Sequence, residues 1–307
     1  VESVGGGQSF GGSGEGTQGT AATTISEDGT YSGESYTSTG DDENALRVDG
    51  AAVTLDGVTV DKSAGAASNT EDGDFYGMNA ALLAMNGATV TIKNATVTSS
   101  AQNGNGVFSY GSGTTGASNL VVETSGNSSA AIRSDRGGGT VNVSGGAYTS
   151  NGYNSPAVYS TADITVKNAN LTAKNSEALV IEGKNSITLE DCYATGNMSD
   201  TKGTSSSENV HNVMIYQSMS GDADVGTSVF SMTGGSLVGS SGDMFYITNT
   251  HCLLTLSGVN IVNNDADGAL LRVVGNSASR GWGTAGNNGT INFNGYTITL
   301  ADGTVLK

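Results

Sequence analysis

The sequence predicts an all-β fold, a single-stranded parallel β-helix (solenoid) of about nine coils, on three observations. A five-residue strand motif recurs along the chain, an apolar strand precedes each copy, and successive copies are separated by similar lengths of chain. Self-similarity at a fixed period is the signature of repeat architectures. Apolar residues alternate within each strand, which is the period of a strand, and no segment shows a convincing helical stripe.

The motif reads apolar, Thr/Ser/Asn, apolar, any residue, then Gly/Asn/Asp. Its copies are VTLDG from Val53, VTIKN from Val90, VNVSG from Val141, ITVKN from Ile164, ITLED from Ile187, FSMTG from Phe230, LTLSG from Leu254, INFNG from Ile291 and a weaker one, LVVET, from Leu120. Every fifth position except Thr124 holds a residue type that tolerates a left-handed backbone. We therefore expect a tight bend after each strand.

The apolar strand ahead of each copy supplies a second inward column. Its anchors are Leu46, Leu82, Val107, Ile132, Val158, Leu179, Met214, Phe245 and Leu270. Successive anchors are 36, 25, 25, 26, 21, 35, 31 and 25 residues apart. A base period of 21 to 26 residues with occasional enlargement indicates solenoid coils that carry loop insertions. At the inter-strand spacing of about 4.8 Å, nine coils make a rod roughly 45 Å long.

The two ends of the chain differ from this repeat. Residues 1–22 are Gly-rich and are predicted to be a flexible linker, with the β-helix domain over residues 23–307. At the other end, either Thr290–Lys307 folds over the last coil or the chain is a fragment of a longer rod. Cys192 and Cys252 are interpreted as small buried hydrophobic residues that form no disulfide with each other.

Composition excludes several classes of function. The 307 residues carry a net charge of −17 from 29 acidic and 12 basic side chains, so we expect no nucleic-acid binding. No run of about 18 apolar residues is present, so we expect no membrane insertion. A chain that is acidic, rich in Gly, Ser, Thr and Asn and poor in Lys and Cys suggests an extracellular or cell-surface location.

These repeats resemble right-handed parallel β-helix proteins of the pectin-lyase-like superfamily. They look most like the Gly/Thr/Asn-rich regions of large bacterial surface and adhesin-like proteins, over about residues 24–307. The resemblance implies a right-handed solenoid and a carbohydrate ligand. It leaves catalysis open, because the superfamily includes polysaccharide enzymes as well as non-catalytic adhesins.

One outward face of the first strand concentrates aromatic and charged side chains. Its two predicted columns contain Phe108, Tyr110, Arg133, Asp135, Tyr159 and Tyr246. Aromatic rings can stack on the C–H faces of sugars while Arg and Asp bind hydroxyl groups. We therefore hypothesise that this stripe binds a glycan or a host or matrix partner. The alternative is that an inserted loop covers the face, which would make the aromatic residues a second small core.

Two other functions remain as alternatives to such a non-catalytic, adhesin-like rod. A polysaccharide lyase or glycoside hydrolase would use Arg133, Asp135 and Glu182, although neither Arg133–Asp135 nor Asp135–Glu182 is a motif. A purely structural stalk would use no site at all. Ice binding by the Thr column of the motif strands is disfavoured by charges in the next outward column, such as Lys93 and Lys167.

No cofactor is predicted. Acidic turns at Asp222 and Asp224 and at Asp265 and Asp267 are weak candidates for a structural Ca²⁺, and solvated turns are the preferred interpretation. His211 and His251 lack metal partners nearby in the sequence and are interpreted as turn histidines. A monomer or end-to-end association is expected.

Overall fold

In a computed structural model, which describes residues 18–199, 210–275 and 289–307, the chain is nearly all β-structure in long parallel sheets. This architecture is consistent with a β-solenoid. Strands fall into three sets, named sheets 1, 2 and 3, and a single helix occurs in the described ranges. No helix there is long and apolar enough to cross a membrane.

Sheet 1 is built from the apolar strands that precede the motif. Its strands, in their order across the sheet, are β1 (Thr20–Ile25), β4 (Glu43–Asp49), β7 (Leu82–Met85), β10 (Val107–Tyr110), β12 (Ile132–Asp135), β14 (Val158–Ser160), β17 (Leu179–Glu182), β20 (His211–Tyr216), β23 (Asp243–Thr248), β26 (Leu271–Val274) and β29 (Val305–Leu306). All neighbours are parallel except β26 and β29.

Sheet 2 is built from the motif itself. Its strands are β2 (Gly29–Ser32), β5 (Ala52–Asp56), β8 (Thr89–Lys93), the first half of β11 (Thr114–Thr124), the first half of β13 (Thr140–Ser150), β15 (Asp163–Lys167), β18 (Ser186–Glu190), β21 (Thr227–Thr233), β24 (His251–Ser257), β27 (Gly289–Phe293) and β28 (Tyr296–Leu300). Only β28 is antiparallel to its neighbour.

Sheet 3 follows the bend that ends each motif. Its strands are β3 (Ser35–Ser38), β6 (Thr59–Lys62), β9 (Thr96–Ser99), the second halves of β11 and β13, β16 (Asn170–Ala173), β19 (Tyr193–Gly196), β22 (Ser236–Gly239) and β25 (Asn260–Asn263). Apolar inward side chains from all three sheets form one continuous cluster. Burial of this cluster is the main favourable term in folding.

The predicted bends are confirmed at the positions where the motif holds Gly, Asn or Asp. The backbone φ is positive at Gly57, Asn94, Gly145, Asn168, Asp191, Gly234, Gly258 and Gly295. The copy LVVET was placed in the wrong sheet, because Val121 pairs with Thr96 and Ala147 in sheet 3. Residues 114–118 occupy sheet 2 in that repeat, and the bend is at Asn119, with φ of 54°.

The predicted register of sheet 1 is wrong by one residue near its end. Val213, rather than Met214, pairs with Leu179 and Phe245, and Leu271, rather than Leu270, continues the column. The error has a physical reason. Strand β20 is buried along its whole length, so its apolar residues do not alternate with polar ones and the pattern cannot choose between faces.

Both ends of the described structure extend the predicted pattern. Strand β1 begins at Thr20, inside the segment predicted to be a linker. It pairs with β4, which contains Leu46, the first anchor that the pattern predicts. At the other end β28 and β29 turn back antiparallel to β27 and β26, and Leu300 is buried. The expected fold-back is thus seen from Tyr296 onward, while Gly289–Phe293 continues the parallel pairing.

The short helix α1 (Thr70–Tyr76) lies in an inserted segment between β6 and β7 and was not predicted. The side chain of Asn69 caps its start by accepting hydrogen bonds from the backbone N–H groups of Glu71 and Asp72, and Gly77 ends it with φ of 78°. Seven residues are too few to show an amphipathic stripe. The burial of Cys192 and Cys252 is confirmed, and both thiols are unbridged.

Substitution of two bend glycines tests the close approach of neighbouring repeats. Gly57 and Gly235 both have positive φ, but a Cβ at Gly57 meets nothing within 4 Å, whereas a Cβ at Gly235 lies 2.0 Å from the carbonyl oxygen of Cys192. We expect Gly57→Ala to cost about 1 kcal/mol for the left-handed backbone alone. Gly235→Ala should cost at least about 3 kcal/mol because backbone must also move. Urea unfolding of both variants measures the difference, and equal midpoints would contradict the stacking described here.

Candidate functional site

On the outward face of sheet 1, Phe108, Arg133, Tyr159 and Tyr246 of the predicted stripe lie in one column. This column reads Leu83, Phe108, Arg133, Tyr159, Val180, Met214, Tyr246 and Arg272. Equivalent side chains therefore lie one strand apart, about 4.8 Å. The structure brings Arg133, Asp135, Tyr159 and Glu182 into one polar network, while Phe108 and Tyr246 lie on either side of it.

Helix α1 covers the first part of this face. Phe108 is fully buried in a small cluster with Leu83 and Ala80, and Tyr110 packs against that cluster. The ring of Tyr76 in α1 lies 5.7 Å from the ring of Tyr110. The expectation that Phe108 faces solvent is therefore wrong, and the alternative of an inserted segment covering a second small core describes this end of the stripe.

Arg133 and Asp135 form a buried ion pair rather than an exposed one. The Arg133 Nη2 lies 2.9 Å from the Asp135 Oδ2, and the two side chains are only 7% and 0% exposed. Arg133 also donates from Nε to the carbonyl oxygen of Asp74 in α1, at 3.0 Å, and its guanidinium lies 3.8 Å from the centre of the Tyr159 ring. One cation therefore ties α1 to sheet 1 and orients the tyrosine.

A tyrosine pair continues the network toward Glu182. The Tyr159 hydroxyl donates to the Glu182 Oε2 at 3.1 Å and shares a second hydrogen bond with the Tyr216 hydroxyl. The Ser218 hydroxyl donates to the other Glu182 oxygen. Glu182 and Asp135 are both fully buried, so neither predicted catalytic carboxylate faces open space.

Tyr246 belongs to a second buried cluster. Its ring stacks on His211 with centroids 5.3 Å apart. The His211 Nε2 lies 2.8 Å from the Glu177 Oε2, and both side chains are buried. Interpreting His211 as a turn histidine was wrong: it begins β20 and pairs with a carboxylate from the segment before β17. No local sequence signal marks this pair, because 34 residues separate its members.

The environment of Glu177 favours its ionised form. Burial alone would raise its pKa, but hydrogen bonds from His211 and Ser176 and the charge of His211 outweigh burial and lower the pKa below the ordinary value. Glu177 is thus a carboxylate held in place from two sides.

A narrow cleft lies between the polar network of Arg133, Tyr159 and Tyr216 and the Glu177–His211 pair; we call it the sheet 1 cleft. Its lining residues are Asp74, Arg133, Asn154, Pro156, Tyr159, Glu177, Val180, Met214 and Tyr216. Its volume is about 20 Å³, room for one water-sized group. The strand pattern predicts Arg133 and Tyr159 on this face, but it does not place Asp74, Asn154 or Glu177 there, because these come from inserted or connecting segments without a repeat pattern.

The acidic turns considered for Ca²⁺ make several contacts within the protein. Asp222 lies 3.1 Å from the Arg136 guanidinium and accepts from the Ser220 hydroxyl, while the carbonyl oxygen of Asp224 accepts from the Lys184 backbone N–H. Backbone N–H groups of Gly242 and Asp267 donate to the Asp265 carboxylate and lower its pKa. Within the described ranges, no group of three or more His, Cys, Asp or Glu residues is placed to hold a metal ion.

Comparisons with family models, with curated proteins and with solved structures found no match to this chain. The resemblance to parallel β-helix proteins is therefore carried by the strand pattern and by the sheets that the pattern predicted. What the site does must be argued from its own geometry.

Removing the Arg133 charge tests the role of the buried pair. We expect Arg133→Met to cost roughly 3–5 kcal/mol, because it removes the positive charge that pairs with the buried Asp135 carboxylate. The matched control is Lys167→Met, which breaks an ion pair with Glu190 of similar length, 3.0 Å, whose side chains are 54% and 46% exposed. That control should change stability by less than about 1 kcal/mol. Urea unfolding measures both, and a small effect of Arg133→Met would contradict the assignment.

A pH series tests the Glu177–His211 contact. A carboxylate whose pKa is lower in the folded state stabilises the fold above its ordinary pKa, and this contribution is lost as the pH falls through the lowered value. We expect Glu177→Gln to be less stable than wild type at about pH 6 and the difference to shrink as the pH falls below about 4. Unfolding midpoints across that range check the prediction; a difference independent of pH would contradict it.

Proposed function

We propose that this protein is a non-catalytic, adhesin-like rod, extracellular or on a cell surface, that binds a glycan through the sheet 1 cleft. One observation carries the proposal: the cleft combines aromatic rings with charged and amide groups on a rigid sheet. The rings of Tyr159 and Tyr216 border the cleft, and Asp74, Asn154 and Glu177 border it with polar side chains. Such a lining suits sugars, which present both C–H faces and hydroxyl groups.

The size of the cleft restricts how a glycan would bind. A volume of about 20 Å³ cannot hold a pyranose ring but accepts one protruding substituent. In the proposed complex the substituent enters between α1 and β14, and the rest of the glycan lies over the adjoining surface of the connection at Asn154. Pre-formed residues around the cleft keep the ordering cost of binding low.

The fold that we propose for this rod is a right-handed β-helix of the pectin-lyase-like kind. Support comes from a motif that recurs about nine times, from parallel pairing in three sheets and from inserted segments on either side of which the strands still pair. In such solenoids, insertions between strands are where binding residues are placed. Asp74 in α1 and Asn154 in the connection before β14 fit this arrangement.

One observation favours an enzyme as the second candidate, a polysaccharide lyase or hydrolase. A carboxylate paired with an imidazole, Glu177 with His211, borders the cleft beside Arg133, and such pairs can move protons. This reading predicts new reducing or unsaturated sugar ends during incubation with the bound polymer, and their disappearance in Glu177→Gln. Binding without such products keeps the non-catalytic proposal.

Affinity electrophoresis on a panel of plant, bacterial and mucin polysaccharides tests the proposed function. We expect retention on at least one polymer, and loss of that retention in Asn154→Gly. This variant removes the amide from the cleft and suits the positive φ of 53° at that position. The control is Tyr193→Ala, which removes a ring that is 59% exposed on sheet 3.

Two results would contradict the glycan proposal. Retention on no polymer would leave the rod as a structural stalk. Retention that Tyr193→Ala abolishes and Asn154→Gly leaves unchanged would move the binding surface to sheet 3.

A further inference from the structure

We propose that a second cleft, beyond the ends of the sheet 1 strands, binds one neutral pyranose residue of a glycan. It lies where the turns after β12, β14 and β17 meet the loop over residues 217–226, and we call it the loop cleft. Arg136, Thr161, Lys184 and Asp224 are among the residues that line it. The inference goes beyond the proposed function, because it assigns a separate site with lining residues of its own.

The loop cleft has room for a sugar ring. Its volume is about 340 Å³, against about 20 Å³ for the sheet 1 cleft. Small-molecule sites in proteins usually enclose about 300–1,000 Å³. The loop cleft is at the small end of that range, as expected for a site that holds one ring rather than a longer part of a glycan chain.

Hydrogen bonds and an ion pair within the protein hold the loop over this cleft. The Gln217 Nε2 donates to the carbonyl oxygens of Ala223 and Asp224, at 3.1 and 3.2 Å. Asp222 lies 3.1 Å from the guanidinium of Arg136, which in turn lies 5.1 Å from the centres of two aromatic rings of α1. The walls of the loop cleft are therefore formed before a ligand arrives, which keeps the ordering cost of binding low.

Backbone conformation also distinguishes this region. In the described ranges, the non-glycine residues with positive φ are Asn, Asp or Ser with two exceptions, Arg136 at 46° and Met219 at 62°. A long side chain disfavours the left-handed backbone, and such conformations cluster at binding and catalytic sites. Arg136 lines the loop cleft and Met219 belongs to its loop, so both exceptions lie in this one region.

Lys184 and Asp224 offer a donor and an acceptor that the protein itself does not use. The Lys184 backbone N–H donates to the Asp224 carbonyl oxygen at 2.9 Å, so the two residues are neighbours. Both side chains are exposed, and neither forms an ion pair or a hydrogen bond with any described residue. A hydroxyl group both donates and accepts, so adjacent hydroxyls of one ring can bind the ammonium and the carboxylate together.

The balance of charges in the loop cleft favours a neutral ring. Arg136 and Lys184 supply two positive charges, and Asp222 and Asp224 supply two negative ones. A sugar with a charge of either sign would therefore meet a like charge in the lining, which disfavours it. A charged sugar must also lose the hydration of its charge, a cost that a hydroxyl group largely avoids.

Saturation-transfer difference NMR with the methyl pyranosides of glucose, galactose, mannose and N-acetylglucosamine tests the proposal. We expect at least one of the four to bind, and Lys184→Met and Asp224→Ala each to weaken its binding at least about tenfold, the size of one charge-assisted hydrogen bond. Alanine at position 224 keeps the backbone carbonyl that Lys184 uses. The matched controls, Lys93→Met and Glu123→Gln, remove exposed charges from sheets 2 and 3 and should change affinity less than about twofold.

A pair of glycine variants tests the position of Lys184 without changing any charge. A Cβ at Gly226 would lie 2.7 Å from the Lys184 Cγ, so Gly226→Ala must displace the lysine side chain. A Cβ at Gly116 meets nothing within 4 Å, and neither glycine has a positive φ. We expect Gly226→Ala to weaken glycoside binding at least about threefold and Gly116→Ala to leave it unchanged. Equal affinities of these two variants would contradict the placement of the ring against Lys184.

Three further results would overturn the inference. Absence of binding by all four glycosides would remove the site. Binding that Asn154→Gly abolishes and Lys184→Met leaves unchanged would place the ring at the sheet 1 cleft and keep the proposed function. Tighter binding of methyl galacturonide or methyl glucosaminide, with the same dependence on Lys184 and Asp224, would replace the neutral ring by a charged one. The opposite separation, in which glycoside binding depends on Lys184 while Asn154→Gly changes retention on no polymer, supports the loop cleft and contradicts the sheet 1 cleft.

Discussion

Apart from the antiparallel β28 and β29, the described strands pair with the equivalent strands of the neighbouring repeats, so equivalent side chains lie about 4.8 Å apart along a column. This in-register parallel stacking is the constraint on which the other features depend. Inward positions must be apolar or hydrogen-bonded, because a buried polar group needs a partner. Most inward positions are apolar, but one inward column of sheet 3 is polar over five strands: Ser38, Lys62, Ser99, Thr124 and Ser150. Its side chains hydrogen-bond within the protein, as Lys62 does to Ser38 and as Thr124 does to the carbonyl oxygen of Ser129.

The same constraint shapes the outward face of sheet 1. A column that holds Arg133 next to Tyr159 on one strand spacing places a cation against a ring. Where another segment covers such neighbours, their charged and polar groups must be paired with each other or with that segment. Helix α1 covers the face beside them, and the carbonyl oxygen of Asp74 accepts a hydrogen bond from the Arg133 Nε. The cleft is the gap that this covering leaves between α1, the connection at Asn154 and the pair Glu177–His211.

The repeat made much of the fold predictable, because alternating apolar residues and a left-handed bend residue recur in nearly every copy. The prediction failed where a strand lacked that pattern. In β20 both faces are buried, so alternation did not fix the register. In the repeat that contains β11, Asn119 rather than Thr124 makes the bend. Of the site, Arg133, Asp135, Tyr159 and Glu182 lie on patterned strands and could be found, whereas Asp74, Asn154 and Glu177 come from segments whose position only the folded chain determines.

The distance between two spin labels on sheet 2 tests the stacking most directly. Thr54 and Thr255 occupy one outward column and are linked by seven successive pairings, through Thr91, Gly116, Asn142, Thr165, Thr188 and Ser231. Nitroxide labels at Thr54→Cys and Thr255→Cys should give a narrow distribution of label-to-label distances near about 34 Å in double electron–electron resonance spectroscopy. Burial raises the pKa of both native thiols, that of Cys252 to about 12, so they stay unlabelled. A broad distribution, or a mean more than about 5 Å away, would contradict the in-register column.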